Sequence, residues 1–194
     1  MRRALVLFVV LAALAACIPE SRHPLSPVEQ ARADTRLAGL WSGRLIESEL
    51  DVLVQFVPRG SGMTDILLIA DVSPDNTADA GWSAYRMFPS RLGGRDFMNI
   101  RLLSNDGKPA GEEGENYLLC RYRFEADGRL GVWRLSQEAA KSAVENGKLA
   151  GEIREGLTTD VVLTAPGADL ADFFAGDAGE SYFATPVGSF TRVR

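Results

Sequence analysis

The chain has 194 residues, with 21 basic and 26 acidic side chains, a net charge of −5, one histidine and two cysteines. That length is enough for one domain with a real core. The acidic balance and the lack of any basic run argue against nucleic acid or anionic lipid head groups as partners.

The first element in chain order is a leader. Arg2 and Arg3 precede a run from Ala4 to Ala16 that is apolar throughout. The run falls short of the ~20 residues that a membrane-spanning helix needs. A positive start, a short apolar core and small residues at its end describe a secretory signal over residues 1–16. Residues 17–37 read as a tether, rich in polar positions and punctuated by Pro19, Pro24 and Pro27. Within it, Ser26 suits a helix N-cap and Pro27 the first helical position, so Ser26 to Leu37 is either a short helix or a linker.

A single β-rich domain follows, over residues 38–194. Strand-like runs alternate with turn signals: "GLWSGRLIE", "DVLVQFVP", "TDILLIADV", "WSAYRMF", "FMNIRLL", "YLLCRYRFE" and "RLGVWRL". Ile66 to Ala70 is apolar on both faces and should be central. Gly93 and Gly94 mark one tight turn, and "ADG" at 126–128 marks another. The period then changes. "SQEAAKSAVENG" places Ala139, Ala140, Ala143 and Val144 on one face of a helix, with Ser136 as N-cap and Gly147 as terminator. After the strand "TTDVVLTA", a second short helix carries Leu170, Phe173 and Phe174 and ends at Gly176, and Val187 to Val193 forms a closing strand. About nine strands with hairpin-length links and two short helices make a mainly β fold, expected as a curled antiparallel sheet or closed barrel.

Two stretches carry resemblances. Leu14-Ala15-Ala16-Cys17 resembles the lipobox of bacterial lipoproteins. The resemblance implies cleavage before Cys17 and attachment of lipid to its sulfur. A membrane partner through that anchor follows, at the cell envelope and most simply at the outer membrane facing the periplasm, since Ile18 is not the aspartate linked to inner-membrane retention. Cys120 would then stand alone, without an intrachain disulfide, as a buried apolar residue facing the same way as Leu118, Tyr122 and Phe124. Gly39-Leu40-Trp41 resembles the G-x-W motif at the first strand of lipocalins and related calycin barrels. That resemblance implies a lipocalin-like β-barrel in which Trp41 plugs one end and a late arginine, Arg192, packs across it. The chain lacks the family's threonine-aspartate-tyrosine turn, and its helix at 136–147 is additional. The hairpin "YLLCRYRF…GRLGVWRLS" before "GKLAGEI" also resembles envelope lipoproteins and implies no particular function.

The residues offer little for catalysis. The one histidine, His23, lies in the tether, so the domain has no imidazole for a Ser-His-Asp or Cys-His pair or for a catalytic zinc. Glu47, Glu49 and Asp51 share one side if their strand continues, which would suit a two-carboxylate hydrolase, but a solvated turn explains them more cheaply. Asp71, Asp75, Asn76 and Asp79 lack the EF-hand spacing, and Glu112, Glu113 and Glu115 read as loop acids. No cofactor and no metal are expected, and the chain is read as a non-enzyme. Trp82, Tyr85, Tyr122 and Trp133 lie on strands and could line an apolar pocket; the simpler reading has them fill a ligand-free core. The expected role is a membrane-anchored, non-catalytic envelope lipoprotein that binds a small apolar ligand, or one that docks on another envelope protein.

Overall fold

A computed structural model describes residues 18–70, 81–111, 114–156, 159–176 and 179–194. Its elements are β1 (Glu20–Ser21), β2 (Gly39–Leu45), β3 (Asp51–Pro58), β4 (Thr64–Ala70), β5 (Trp82–Leu92), β6 (Arg95–Asn105), β7 (Lys108–Pro109), β8 (Tyr117–Phe124), β9 (Leu130–Arg134), α1 (Gln137–Glu145), β10 (Gly151–Glu155), β11 (Thr159–Leu163), α2 (Gly167–Ala175), α3 (Gly179–Tyr182) and β12 (Thr185–Arg192). All of the strands read from the sequence are present. β1, β7 and β10 are additions, too short or too polar to show a period of their own.

Alternation drives the architecture. In β3, Val52, Val54 and Phe56 are buried while Asp51, Val57 and Pro58 are exposed. The buried set of each strand needs an apolar partner surface, and one antiparallel sheet supplies it by closing on itself. β2, β3, β4, β5, β6, β8, β9 and β12 pair in that order, and β12 returns to β2. The step from β6 to β8, with Asp96–Ile100 against Tyr122–Leu118, completes a closed, eight-stranded, lipocalin-like antiparallel barrel. Gly93 and Gly94 link β5 to β6 with φ of 54° and 79°, the left-handed pair that a two-residue hairpin turn requires.

Everything between β9 and β12 lies outside the barrel. Ser136 caps α1, accepting from the Ala139 N–H at 3.3 Å, and α1 and α2 follow the spans read from the sequence. Together with α3 and the β10–β11 hairpin they cover Phe97, Leu119 and Leu135 on the outer wall. Phe97, Phe174 and Phe183 stack edge to face at centroid distances of 5.0 and 5.1 Å. β1 fastens this layer on. It runs antiparallel to Tyr117–Leu118 of β8 and parallel to Val162–Leu163 of β11.

Residues 19–37 therefore do not hang free as a tether. Pro19, Leu25, Ala31 and Leu37 are buried, and the segment straps the wall from β8 to the end of the barrel beneath β2. The helix considered for Ser26–Leu37 is reduced to a single 3-10 turn, Val28–Gln30, with no side-chain cap. The Ser26 hydroxyl instead meets Ser90 Oγ at 2.5 Å, because the contacts along the wall are worth more to this segment than a weakly amphipathic helix. At its centre, buried Asn99 accepts from the Leu25 N–H at 2.7 Å and donates to Phe88 O at 3.1 Å and Ser90 Oγ at 2.8 Å.

Asn99→Leu keeps the volume and strands those partners, so it should cost about 1–3 kcal/mol. A lower urea midpoint, with faster proteolysis confined to residues 19–37, is expected. An unchanged midpoint would show that the strap does not depend on Asn99.

Candidate functional site

The two ends of the barrel differ. At one, Trp41 is buried and its indole N–H donates to Leu37 O at 2.8 Å. The Arg192 guanidinium lies 4.4 Å over the same ring and donates to the carbonyls of Arg36 and Ala38. That is the place the G-x-W resemblance gives to Arg192. A charged cluster finishes the seal: the Tyr122 hydroxyl donates to Asp34 Oδ2 at 2.9 Å, Arg36 pairs with both Asp34 and Asp96, and its guanidinium covers Phe124 at 4.7 Å. Burial alone would raise the Asp34 carboxyl. Hydrogen bonds from Arg36 and Tyr122 outweigh it and hold the group below the ordinary carboxylate range, while burial and the Asp34 charge push the Tyr122 phenol up.

At the opposite end the link between β4 and β5, residues 71–80, lies outside the described residues. Val52, Ala70 and Ser83, at this end of the barrel, are buried, while in four strands one inward side chain is less covered than its neighbour towards Trp41, namely Leu45, Leu68, Tyr85 and Ile100. Leu50 and Val187 join them, packed on the inner core but only partly buried. These residues form the partly buried apolar upper layer of the barrel core, the cup, packed against the sealed lower half. Cys120 lies on its floor, and burial pushes its thiol up to about 12 against the opposing field of Arg134. A thiol so protonated is inert.

One charge enters the cup. Leu130, Val132 and Arg134 alternate on the inward face of β9, and Arg134 pairs across the ladder with Cys120. Its side chain is 11% exposed and forms an ion pair with Glu47, which is 44% exposed on the turn after β2. On the same side, the Ser83 hydroxyl donates to Asn105 Oδ1 at 2.7 Å, and burial raises the Tyr85 phenol.

The four aromatics expected to line a pocket do not meet in one. Tyr85 points into the cup, and Tyr122 points inward at the sealed end. Trp82 is 38% exposed on the outer wall. Trp133 also faces out, beneath the guanidinium groups of Arg121 and Arg123 at 4.7 and 5.4 Å. The reason is parity: Tyr122 pairs with Val132, so Trp133 takes the opposite face. A bulge between Ala84 and Tyr85 further shifts the β5–β6 ladder. Arg134, Leu45, Leu68 and Ile100 were the residues to find, and the alternation Leu130, Val132, Arg134 was the available signal for the first.

The carboxylates also separate. β2 stops at Leu45, and Glu49 takes a left-handed φ of 56° in the turn, so Glu47, Glu49 and Asp51 never share a strand face. Glu49 is an exposed partner of Arg44 at 3.7 Å. Among the described residues no group of three or more His, Cys, Asp or Glu side chains is placed to hold a metal ion. Asp71, Asp75, Asn76, Asp79, Glu112, Glu113 and Cys17 lie outside the described residues. A concavity of about 550 Å³ lies outside the barrel between Phe88, Leu103 and Tyr117. Its arginines are engaged, Arg86 with Asp65 at 2.9 Å and Arg101 with Gly114 O at 2.8 Å.

The Asp34 cluster has a pH signature. A carboxyl depressed by folding contributes stability that is complete above its unfolded pKa, near 3.9, and is lost as pH falls through the folded value. Asp34→Asn should therefore lower the urea midpoint at pH 7 and flatten its decline below about pH 4; identical acid slopes in the two proteins would contradict this. Compared with protein-family profiles, curated proteins and solved structures, the chain matches none of them, and the cup is read from its own geometry.

Proposed function

We propose that this protein is a lipid-anchored, non-catalytic lipoprotein of the cell envelope whose barrel binds a small apolar ligand in the cup. The incomplete burial of the inward side chains Leu45, Leu68, Tyr85 and Ile100 carries the reading. An apolar guest would cover them, gaining about 25 cal/mol for each Å² removed from water.

The anchor is Cys17 in this reading. Several acyl chains hold a protein stably at a membrane where one does not. Pro19 is buried and Glu20 is in β1, so Ile18 alone separates Cys17 from the folded domain. The barrel is thus held against the membrane surface, and a tether reaching to residue 37 does not exist to let it roam. Docking on another envelope protein has support of its own. Leu53, Ile69 and Trp82 form one row across the outer faces of β3, β4 and β5, beside Leu67, which is 37% exposed.

Cells fed a fatty-acid analogue should label the wild-type chain and not Cys17→Ser; label on the variant would refute the anchor. Native mass spectrometry of the full chain, extracted from membranes, should find a lipid-sized adduct. Ile100→Trp, which fills the cup, should remove it without lowering the melting temperature. A chain with no adduct, captured instead by one dominant crosslinked protein through the outer row, would favour docking.

A further inference from the structure

The β10–β11 hairpin ends the sheet, and among the described residues no strand lies beyond β10. The ladder gives the direction of each backbone group in that hairpin. Thr164 N–H donates to Ala150 O at 2.9 Å, in register with the pairs that run from Gly151–Leu163 to Glu155–Thr159. On the far side of β11, Arg22 N–H donates to Leu163 O at 2.9 Å, so Leu163 turns its backbone towards β1. Hydrogen-bonded and non-bonded pairs alternate along an antiparallel ladder. Glu152 and Arg154 therefore bond to β11. The N–H and C=O groups of Gly151, Ile153 and Glu155 point outward, and no described backbone group meets them.

Such a row of unpaired groups is a template for another strand, and charged side chains usually keep one away. In β10 the charges on one face differ in sign. Glu152 and Arg154 stand side by side, 42% and 64% exposed, and pair at 3.1 Å. The opposite face lies against α1, close enough that a Cβ at Gly151 would come within 2.6 Å of Val144 Cγ2.

We propose that β10 pairs with β10 of a second copy of this chain, antiparallel, with the twofold axis at Ile153. In that register Ile153 exchanges both backbone bonds with its own copy, and Gly151 exchanges them with Glu155 of the second copy, so every outward group is satisfied. Glu152 then lies directly opposite Arg154 of the second copy, and by symmetry the pair occurs twice. Moving the axis by one residue sets Glu152 against Glu152 or Arg154 against Arg154 and leaves an end residue unpaired. Opposite charges across a ladder stabilise it and like charges destabilise it, so the strand Gly151–Glu155 complements itself in one register. An edge of five residues is a small interface, and the dimer is reversible. This pairing is independent of the cup and of the outer row on β3, β4 and β5.

Sedimentation equilibrium of the full chain, in detergent with micelles in excess, should show a monomer–dimer equilibrium that weakens as salt is added. Arg154→Glu sets acid against acid at both crossings and should weaken the dimer about tenfold or more. Glu152→Lys should weaken it similarly. The two substitutions together restore opposite charges in the Ile153 register alone and should return the affinity to within about threefold of wild type. Glu155→Pro removes an outward N–H and no bond to β11, and should also weaken the dimer. Melting temperatures close to wild type confirm that each variant is folded, and Glu155→Pro gives a second route should a charge reversal unfold the hairpin. A chain that stays monomeric at every concentration, or a dimer that neither charge reversal weakens, would overturn the pairing. A double variant no tighter than the single ones would overturn the register.

Discussion

The backbone of Tyr117–Phe124 is hydrogen-bonded along both edges, and closure of the barrel depends on it. One edge meets β6 through Leu118–Tyr122, which joins the two halves of the sheet. The other edge meets β9 through Cys120–Phe124 and, where β9 has left, β1 through Tyr117 and Leu118. A single strand thus closes the cylinder and fastens the outer layer of helices and hairpin. Closure leaves the barrel strands without a free edge, and it fixes which side chains face the bore.

With inside and outside fixed, the two ends are free to differ. The Trp41 end is sealed by aromatic packing under two arginines, and its charged cluster is paired: Arg192 with two carbonyls, Arg36 with Asp34 and Asp96, Tyr122 with Asp34. Such a cluster is secure only when fully satisfied. The other end holds apolar side chains that have not found cover and one arginine held by a half-exposed glutamate. The two ends thus differ in how fully their inward side chains are covered.

The segment before β2 shows how local composition misleads. Three prolines and scattered charges read as linker, and the stretch has almost no helix of its own. Its buried apolar residues, Pro19, Leu25, Ala31 and Leu37, fall six residues apart, too sparse for a helical stripe to show, yet each reaches a prepared contact because the barrel wall supplies the order. Buried Asn99 meets the backbone of Leu25 seventy-four residues away in sequence. No periodicity in either stretch could announce that bond. The same holds for β1 and β7, two-residue strands that exist only because a neighbour offers an edge.

The sequence by itself determined the strands with clear alternation, both longer helices, the glycine turn at 93–94 and the meeting of Trp41 with Arg192. These depend on patterns within a few residues or on a motif. Closure into a barrel over a merely curled sheet was decided by tertiary structure, since the β6–β8 ladder joins strands that the sequence separates by a loop and the short β7. So was the fate of the aromatics: Tyr85 and Tyr122 face the bore, Trp82 and Trp133 the outside, according to register and one bulge. The pairing of Arg134 with Glu47 across eighty-seven residues belongs to the same class. Side-chain direction is a property of local alternation, but which direction is inward is a property of the closed sheet, and it exists only once every strand is in place.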